Sequence, residues 1–109
     1  FFEVGISYDS DIDLAISIIK DEILKHPNYF DTRTDEQKEN GTEEIIVRVV
    51  GYGESSINLK VAVWGEDAGK AFQFTCDLYK SVKERFDKEG IEIPYPHRTV
   101  IYKKESETI

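Results

Sequence analysis

The pattern along the chain is most regular between positions 54 and 64, in the run ESSINLKVAVW, where Ile57, Leu59, Val61 and Val63 alternate with Asn58, Lys60, Ala62 and Trp64. Successive side chains of a strand point to opposite faces of a sheet, so this alternation predicts a strand with one buried face. The same pattern predicts strands at residues 2–8 and 44–50 and a short last strand at 99–102. Gly51 and Gly53 lie between the second and third strands and allow a sharp turn, which predicts a central hairpin.

Two longer segments have apolar residues at helical spacing. The first follows Ser10 and Asp13, which fit an N-terminal capping signature, and it ends before Pro27, which cannot continue a helix. Its predicted buried stripe consists of Ile12, Ala15, Ile16, Ile19 and Ile23, widened by Leu14 and Ile18. The second helix is predicted over residues 66–89, and Gly90 supplies the left-handed residue that ends it. Its predicted buried stripe consists of Ala68, Phe72, Thr75, Cys76, Tyr79, Val82 and Phe86.

The remaining segments are polar or rich in proline. Residues 28–43 are mostly charged and lack a sustained period, so we expect a surface loop that can include a loose helical turn. Residues 91–96, IEIPYP, are expected to be extended because each proline disfavours the helical region for the residue before it. We expect one domain over residues 1–103 and a flexible tail over residues 104–109.

The predicted order of elements is strand, helix, strand, strand, helix, strand. Helices placed on one face of an antiparallel sheet bury the single apolar face of each element economically. The split βαβ arrangement is the standard topology for this order. The sequence therefore predicts an α+β fold, a ferredoxin-like βαββαβ sandwich with two helices on one face of an antiparallel sheet.

Length and composition limit what the chain can be. Its 109 residues are enough for one domain with its own core. The chain begins at Phe1 and contains no Met, so we interpret it as a processed chain or, preferably, a fragment of a larger protein. The formal net charge of −8 argues against nucleic acid and against an anionic membrane surface as direct partners. No apolar run approaches the roughly 20 residues that span a bilayer, so we expect this piece to be soluble.

The acidic run after the first predicted strand resembles the start of a calcium-binding loop, but two required positions do not fit. Asp9, Asp11 and Asp13 have the spacing that opens a calcium loop, but Leu14 occupies the required glycine position and Lys20 the bidentate acid position. Capping of the following helix explains these acids better. An acylphosphatase-like enzyme would need an arginine in this loop to bind phosphate, and the acids would repel phosphate instead.

The remaining chemistry-bearing residues also lack a recognised arrangement. The two histidines have no metal-site spacing to Cys76, the only cysteine. Cys76 lies on a predicted buried stripe, where a thiol behaves as a small apolar residue. The chain is therefore predicted not to be an enzyme and to need no cofactor or metal.

Two aromatic residues are unusual for a domain with one covered sheet face. Trp64 falls on the strand face opposite to Ile57 and Val63, where helices on the other face leave it uncovered. Tyr95 lies between two prolines in a rigid segment. Exposed aromatic residues on rigid backbone are typical of assembly interfaces. Alternatively Trp64 folds under the neighbouring loop, and the sequence leaves both interpretations open.

Three short motifs carry a resemblance to a known family. They are YDSDID at residues 8–13, SSINL at 55–59 followed by Val63 and Trp64, and GIEIPYP at 90–96. In this order and at this spacing they resemble the C-terminal cytoplasmic domain of small-conductance mechanosensitive channels, the MscS family. The resemblance covers residues 4–102 and departs from the family at residues 28–43, where the loop is longer and more acidic.

The resemblance implies a membrane channel that opens under bilayer tension and releases solutes during hypo-osmotic shock. The parent would be a homo-oligomer, usually a heptamer, whose transmembrane helices precede this domain in the chain. The domain would lie on the cytoplasmic side of the cell membrane, in a hollow vestibule with side portals, and the last strands can join into a small barrel. It would have no chemistry of its own. A ligand-sensing ferredoxin-like regulatory module of another protein is the alternative.

Two sets of residues are candidates for these roles. The candidate assembly contacts are Trp64, Ile93, Pro94, Tyr95 and Pro96. The candidates for vestibule electrostatics, chosen for the density of acids in one loop, are Asp31, Asp35, Glu36, Glu39, Glu43 and Glu44.

Overall fold

The computed structural model describes residues 1–94, which form a three-stranded antiparallel sheet and three helices. The elements are, in chain order, β1 (Phe2–Ile6), α1 (Ile12–Lys25), α2 (Asp35–Glu39), β2 (Val47–Tyr52), β3 (Ile57–Val61) and α3 (Ala68–Glu89). The turn between β2 and β3 is closed by a hydrogen bond from the Gly53 N–H to the Ser56 carbonyl, 2.7 Å long. The α+β class and the central hairpin are thus confirmed.

β3 lies in the middle of the described sheet and pairs antiparallel with both β1 and β2. β1 and β2 therefore run parallel to each other, and α1 belongs to the connection that crosses β3 between them, as in a split βαβ unit. The predicted fourth strand at 99–102 and the tail at 104–109 lie outside the described residues. The complete ferredoxin-like order therefore stays a prediction.

α1 and α3 cover one face of the sheet. Phe2 and Ile6 of β1 and Leu59 of β3 are at most 1% exposed, and the residues that alternate with them, such as Glu3 and its partner Lys60, lie on the opposite face. The helix residues buried in the same core are Ala15, Ile18, Ile19, Ile23, Phe74, Leu78, Val82 and Phe86. The alternation between positions 54 and 64 therefore predicted the buried face of β3 correctly.

The N-terminal cap of α1 differs from the predicted one. The Asp11 side chain accepts a hydrogen bond from the Leu14 N–H at 3.1 Å, so Asp11 is the N-cap. Ser10, predicted as the cap, instead bonds the Ser7 hydroxyl and accepts from the Glu92 N–H. The predicted end is confirmed, because α1 stops at Lys25, two residues before Pro27.

α3 ends where predicted, at Glu89 before a left-handed Gly90, but its predicted buried stripe is partly wrong. Phe72 and Tyr79 are 72% and 49% exposed, and Cys76 is exposed rather than a small core residue. The residues that α3 buries are Phe74, Leu78, Val82 and Phe86. The buried face is therefore turned away from the predicted one and shares only Val82 and Phe86 with it.

β2 forms an edge of the described sheet and is less covered than the pattern predicted. Val49 pairs with the fully buried Leu59, yet it is 44% exposed. A register shift between Val49 and Gly51 also bends this strand. Ile45 and Val47, which alternate with Val49 along the predicted strand 44–50, are buried, so only part of the apolar face of this strand is covered.

A group of charged side chains, the Arg85 cluster, joins α1 to α3. Arg85 donates to Asp21 at 2.8 Å and to Glu22 at 2.7 Å, both on α1, and its Nε donates to Glu89 at 2.7 Å. Lys25 also pairs with Glu22, at 2.9 Å. Burial would raise the pKa of Glu22, but hydrogen bonds from Lys25 and Arg85 outweigh it and lower that pKa. The cluster therefore keeps the acid ionised and ties the two helices together at their surface.

Candidate functional site

Trp64 lies three residues beyond the end of β3, and its side chain is 62% exposed. Gly65 follows it and passes close to the backbone of Ala71 in the first turn of α3. The chain therefore turns directly from the central strand into the helix, with the indole left at the surface. Of the two interpretations left open by the sequence, the structure favours the exposed indole over one that folds under the neighbouring loop.

Trp64 lines a pocket together with residues of the segment 29–46. This cavity, which we call the loop pocket, has a volume of about 210 Å³. Its aromatic lining comes from Tyr29, Phe30, Trp64 and Phe74. Its polar lining includes Thr32, Arg33, Gln37, Thr42, Glu43 and Glu44. The loop predicted from polarity alone therefore has a definite position against the exposed indole.

A short helix organises the middle of this loop. In α2, Thr34 accepts a hydrogen bond from the Gln37 N–H, and the Gln37 side chain accepts from the Thr34 N–H, which forms a complete capping box. After α2, the Thr42 N–H donates a hydrogen bond to the Gln37 carbonyl at 3.0 Å. The loose helical turn allowed by the sequence is thus a capped helix.

Arg33 fastens the two ends of the loop to each other. Its guanidinium makes a fork with Asp31, with N–O distances of 2.8 to 3.2 Å, and it donates to the Thr42 carbonyl at 2.9 Å. The hydrogen bonds from Arg33 hold the pKa of Asp31 at about 2, below its usual value of 3.8. The same bonds raise the pKa of Arg33.

Tyr29 and Glu44 close the pocket from the strand side. The Tyr29 hydroxyl donates a hydrogen bond to Glu44, and Arg33 lies 3.9 Å from the other oxygen of that carboxylate. Burial raises the pKa of Tyr29, and the hydrogen bond and negative charge of Glu44 raise it further. The phenol therefore stays protonated and keeps donating at any physiological pH.

The six acids predicted to act together fall into two groups. Asp31 and Glu44 belong to the network at the loop pocket, and Glu43 pairs with Lys20 of α1 at 3.0 Å. Asp35, Glu36 and Glu39 instead lie on the exposed surface of α2. Cations therefore compensate much of the charge of the first group, whereas the second group is exposed on a short helix that also carries Lys38.

The proline-rich segment lies at a different place. Ile91 is 3% exposed, and the Glu92 carbonyl accepts from the Ser7 N–H at 2.8 Å, so the segment starts beside the end of β1. Ile93 and Pro94 line a second, larger pocket together with Val4 and Tyr79. Within residues 1–94 the structure does not bring these two residues to Trp64, and Tyr95 and Pro96 lie outside the described residues.

Sequence reasoning missed Tyr29, Arg33 and Thr42, whose side chains or carbonyls build the loop pocket. The only local signal was the close spacing of Asp31 and Arg33, opposite charges two residues apart in a loop. Nothing in the sequence relates Tyr29 to Glu44, because these residues are 15 positions apart and in no periodic element.

Among residues 1–94, no three His, Cys, Asp or Glu side chains group so that they could hold a metal ion. No helix within that range is long and apolar enough to cross a bilayer. What the arrangement offers is an exposed indole beside an ordered pocket and an acidic short helix.

The low pKa of Asp31 leads to a prediction about acid. Because the pKa is depressed in the folded state, the stabilisation from the Asp31–Arg33 pair is present above pH 4 and is lost as pH falls towards 2. The carboxyl carbon of Asp31, followed by NMR, should titrate near pH 2. In an Arg33→Gln variant the titration should move up towards the usual value. A wild-type midpoint near 4 would contradict the fork geometry.

Comparison with known proteins decides the family. Residues 2–93 match the family model described as "Mechanosensitive ion channel MscS, C-terminal". The chain belongs to the MscS family. An MscS family protein of Archaeoglobus fulgidus is 34% identical over 104 residues, which is 95% of this chain and 33% of that protein. The resemblance seen in the three short motifs is therefore confirmed.

Two named channels are also similar to this MscS domain. The small-conductance mechanosensitive channel of Helicobacter pylori is 31% identical over 91 residues, which covers 84% of this chain and 30% of the channel. The large-conductance channel MscMJLR of Methanocaldococcus jannaschii is 26% identical over 110 residues, 94% of this chain and 27% of the channel. The chain thus spans about a third of the length of its relatives, and its family is one of ion channels rather than enzymes.

Proposed function

We propose that this domain forms part of the cytoplasmic vestibule of a tension-gated channel that releases solutes on hypo-osmotic shock. Membership of the MscS family supports the channel association. The observation that carries the specific role is the exposed Trp64 beside an ordered pocket. In this proposal the domain contributes to subunit assembly and to solute filtering and performs no reaction.

The assembly role is inferred from the composition and order of the loop pocket. Tryptophan, tyrosine and arginine dominate the residues that carry binding energy in protein interfaces, and Trp64, Tyr29 and Arg33 line one cavity in this domain. The capping box of α2 and the Arg33 fork hold the loop in place before any partner arrives. Little conformational entropy is then lost on docking. The partner we propose is a neighbouring copy of the same chain in a homo-oligomer, a heptamer by resemblance.

The filtering role is inferred from α2. Asp35, Glu36 and Glu39 are exposed on one short helix, and ring assembly would repeat this helix once per subunit around the vestibule. Charges separated by more than about 8 Å in physiological salt interact weakly, so these acids affect ions only where they pass close by. We therefore propose that α2 lies near a portal and favours cations there.

Replacing Trp64 with Ala in the full-length channel should weaken subunit assembly, because the central aromatic anchor of the interface is lost. The measurement is the distribution of oligomers in detergent, by native mass spectrometry. Phe72→Ala is the matched control, because Phe72 is 72% exposed but does not line the loop pocket. Assembly unchanged by Trp64→Ala, or weakened equally by both variants, would remove Trp64 from the interface.

Neutralising α2 should shift the reversal potential of the channel in a salt gradient. The variant is Asp35→Asn, Glu36→Gln and Glu39→Gln, and the expected shift is away from cation preference. A control with the same change in charge replaces the exposed acids Asp9, Glu54 and Glu84, which lie on other elements. If the control shifts the potential as much, the effect belongs to net charge, and the portal position of α2 is refuted.

A ligand-sensing module is the second candidate, favoured by the loop pocket itself. A preformed cavity with aromatic and polar lining is typical of small-molecule sites. This alternative predicts a saturable change in the fluorescence of Trp64, the only tryptophan, when a ligand binds to the isolated domain. The vestibule proposal predicts that no ligand changes the fluorescence of Trp64. It predicts instead that Trp64→Ala weakens subunit assembly.

A further inference from the structure

His26, the residue that follows α1, is held on both ring nitrogens. Its side chain is only 10% exposed, and its ring stacks on Phe74 with centroids 4.3 Å apart. Nδ1 accepts a hydrogen bond from the Asn28 N–H at 3.0 Å, and Nε2 lies 2.7 Å from the carboxylate of Asp77 on α3. Each nitrogen therefore has a different partner, one a donor and one an acceptor.

These two partners fix the protonation state of the ring. An imidazole nitrogen that accepts from an N–H carries no proton, so Nδ1 is bare and Nε2 carries the proton that it donates to Asp77. The folded geometry is thus that of neutral histidine. Charging the ring adds a proton at Nδ1, where the Asn28 N–H already points, and the two hydrogens cannot share that position.

The bond to Asn28 closes the turn that starts the loop. The Tyr29 N–H donates to the His26 carbonyl at 3.0 Å, and the Asn28 side chain donates to the Lys70 carbonyl at 3.4 Å. Tyr29 and Phe30 follow at once and line the loop pocket together with Trp64, while Phe74 under the His26 ring lines the same pocket. Loss of the hydrogen bond to Nδ1 would therefore free Asn28, which directly precedes the pocket residues Tyr29 and Phe30.

The charged groups around His26 do not cancel this effect. Asp77 favours the charged ring, but it is half exposed and already accepts a hydrogen bond in the neutral state. On α1, Glu22 and Asp21 are engaged by Lys25 and Arg85. On α3, the ammonium of Lys70 pairs with Glu66. Asp77 is thus the acid in contact with the ring, and the Asn28 N–H is the group that loses its acceptor.

We propose that protonation of His26 opens the turn over residues 26–29 and loosens the wall of the loop pocket, so this corner of the domain responds to a fall in pH. Histidine is the side chain that ordinarily changes charge between pH 5 and 8. The inference rests on the hydrogen bonds of this chain and holds whether or not the pocket is an assembly contact.

The test is an NMR titration of the 109-residue chain from pH 8 to pH 5 with the emission of Trp64 recorded in parallel. We expect the Asn28 amide proton to move upfield as its hydrogen bond is lost, with the same midpoint as the His26 ring. Trp64 emission should change with that midpoint too. An Asn28 amide that stays fixed while the ring titrates would overturn the proposal.

Three variants separate His26 from other groups. Asparagine at 26 can accept from the N–H two residues ahead without titrating, so His26→Asn should abolish the pH response of Trp64. His97→Gln, which removes the other histidine, should leave it intact. Asp77→Asn removes the carboxylate beside Nε2 but leaves the bond from the Asn28 N–H to Nδ1, so the Asn28 amide should still follow the His26 ring. A response that persists in His26→Asn refutes the mechanism, and if that variant fails to fold, the other two titrations still decide.

Discussion

Replacing Phe74 with Ala should lower the free energy of unfolding by about 3–5 kcal/mol, whereas Phe72→Ala should change it by less than about 0.5 kcal/mol. The two residues lie two positions apart on α3, but Phe74 is 1% and Phe72 72% exposed. Truncation of Phe74 leaves a cavity between the helix and the sheet and also removes the ring on which His26 stacks. Truncation of Phe72 removes a ring that is mostly solvent-exposed, so few packing contacts are lost.

Urea unfolding of the wild type and both variants, followed by far-ultraviolet circular dichroism, measures this difference. A domain of this size commonly has about 5–15 kcal/mol of stability, so the loss expected for Phe74→Ala is a large part of the total and should be plain in the unfolding midpoint. The result also tests the rotation of the helix. If Phe72→Ala lowered the free energy of unfolding more than Phe74→Ala, the buried stripe predicted from the sequence would be correct and the structure would be contradicted.

Gly65→Ala should destabilise the domain by about 1–3 kcal/mol, whereas Gly69→Ala should stabilise it by up to about 1 kcal/mol. A Cβ atom at Gly65 would lie 2.7 Å from the Ala71 Cα and clash with backbone that cannot give way cheaply. At Gly69, inside the first turn of α3, the nearest atom to an added Cβ is an Asp67 side-chain oxygen at 3.4 Å. The same chemical change therefore has opposite signs at two nearby positions.

Thermal and urea unfolding of the two variants give the free energies. Trp64 precedes Gly65, so its emission spectrum reports whether the clash also displaces the indole. We expect a spectral shift in Gly65→Ala and none in Gly69→Ala. Equal stabilisation by both substitutions would mean that the chain does not pass close to α3 at this point.

The elements that the sequence predicted correctly are those whose cause is local. The strand around Leu59 is visible because Ile57, Leu59 and Val61 alternate with Asn58 and Lys60, and α1 ends at Lys25, two residues before a proline that cannot continue a helix. The buried face of α3 is different, because its apolar residues form two overlapping stripes that share Val82 and Phe86. Periodicity fits both stripes, and only the packing of α3 against β1 and α1 selects the one through Phe74 and Leu78.

The candidate site was predicted only in its exposed parts. Trp64 was recognised because it alternates with a clear apolar run, and the acids were recognised because they are dense in the sequence. The pocket between them depends on pairs that are distant along the chain, such as Arg33 with Thr42 and Tyr29 with Glu44. Such pairs follow from where the loop returns to the sheet, and no local rule gives that position.

The Arg85 cluster makes the coupling of the two long helices depend on dissolved salt. Attraction between charges near a surface is screened over about 8 Å in ~0.15 M salt and over about 30 Å in ~0.01 M salt. Arg85 and Asp21 are 28% and 51% exposed, so dilution of the surrounding ions strengthens their attraction. The apolar contacts beneath respond far less to such dilution. The pair of α1 and α3 therefore becomes stiffer as the solution around it becomes more dilute.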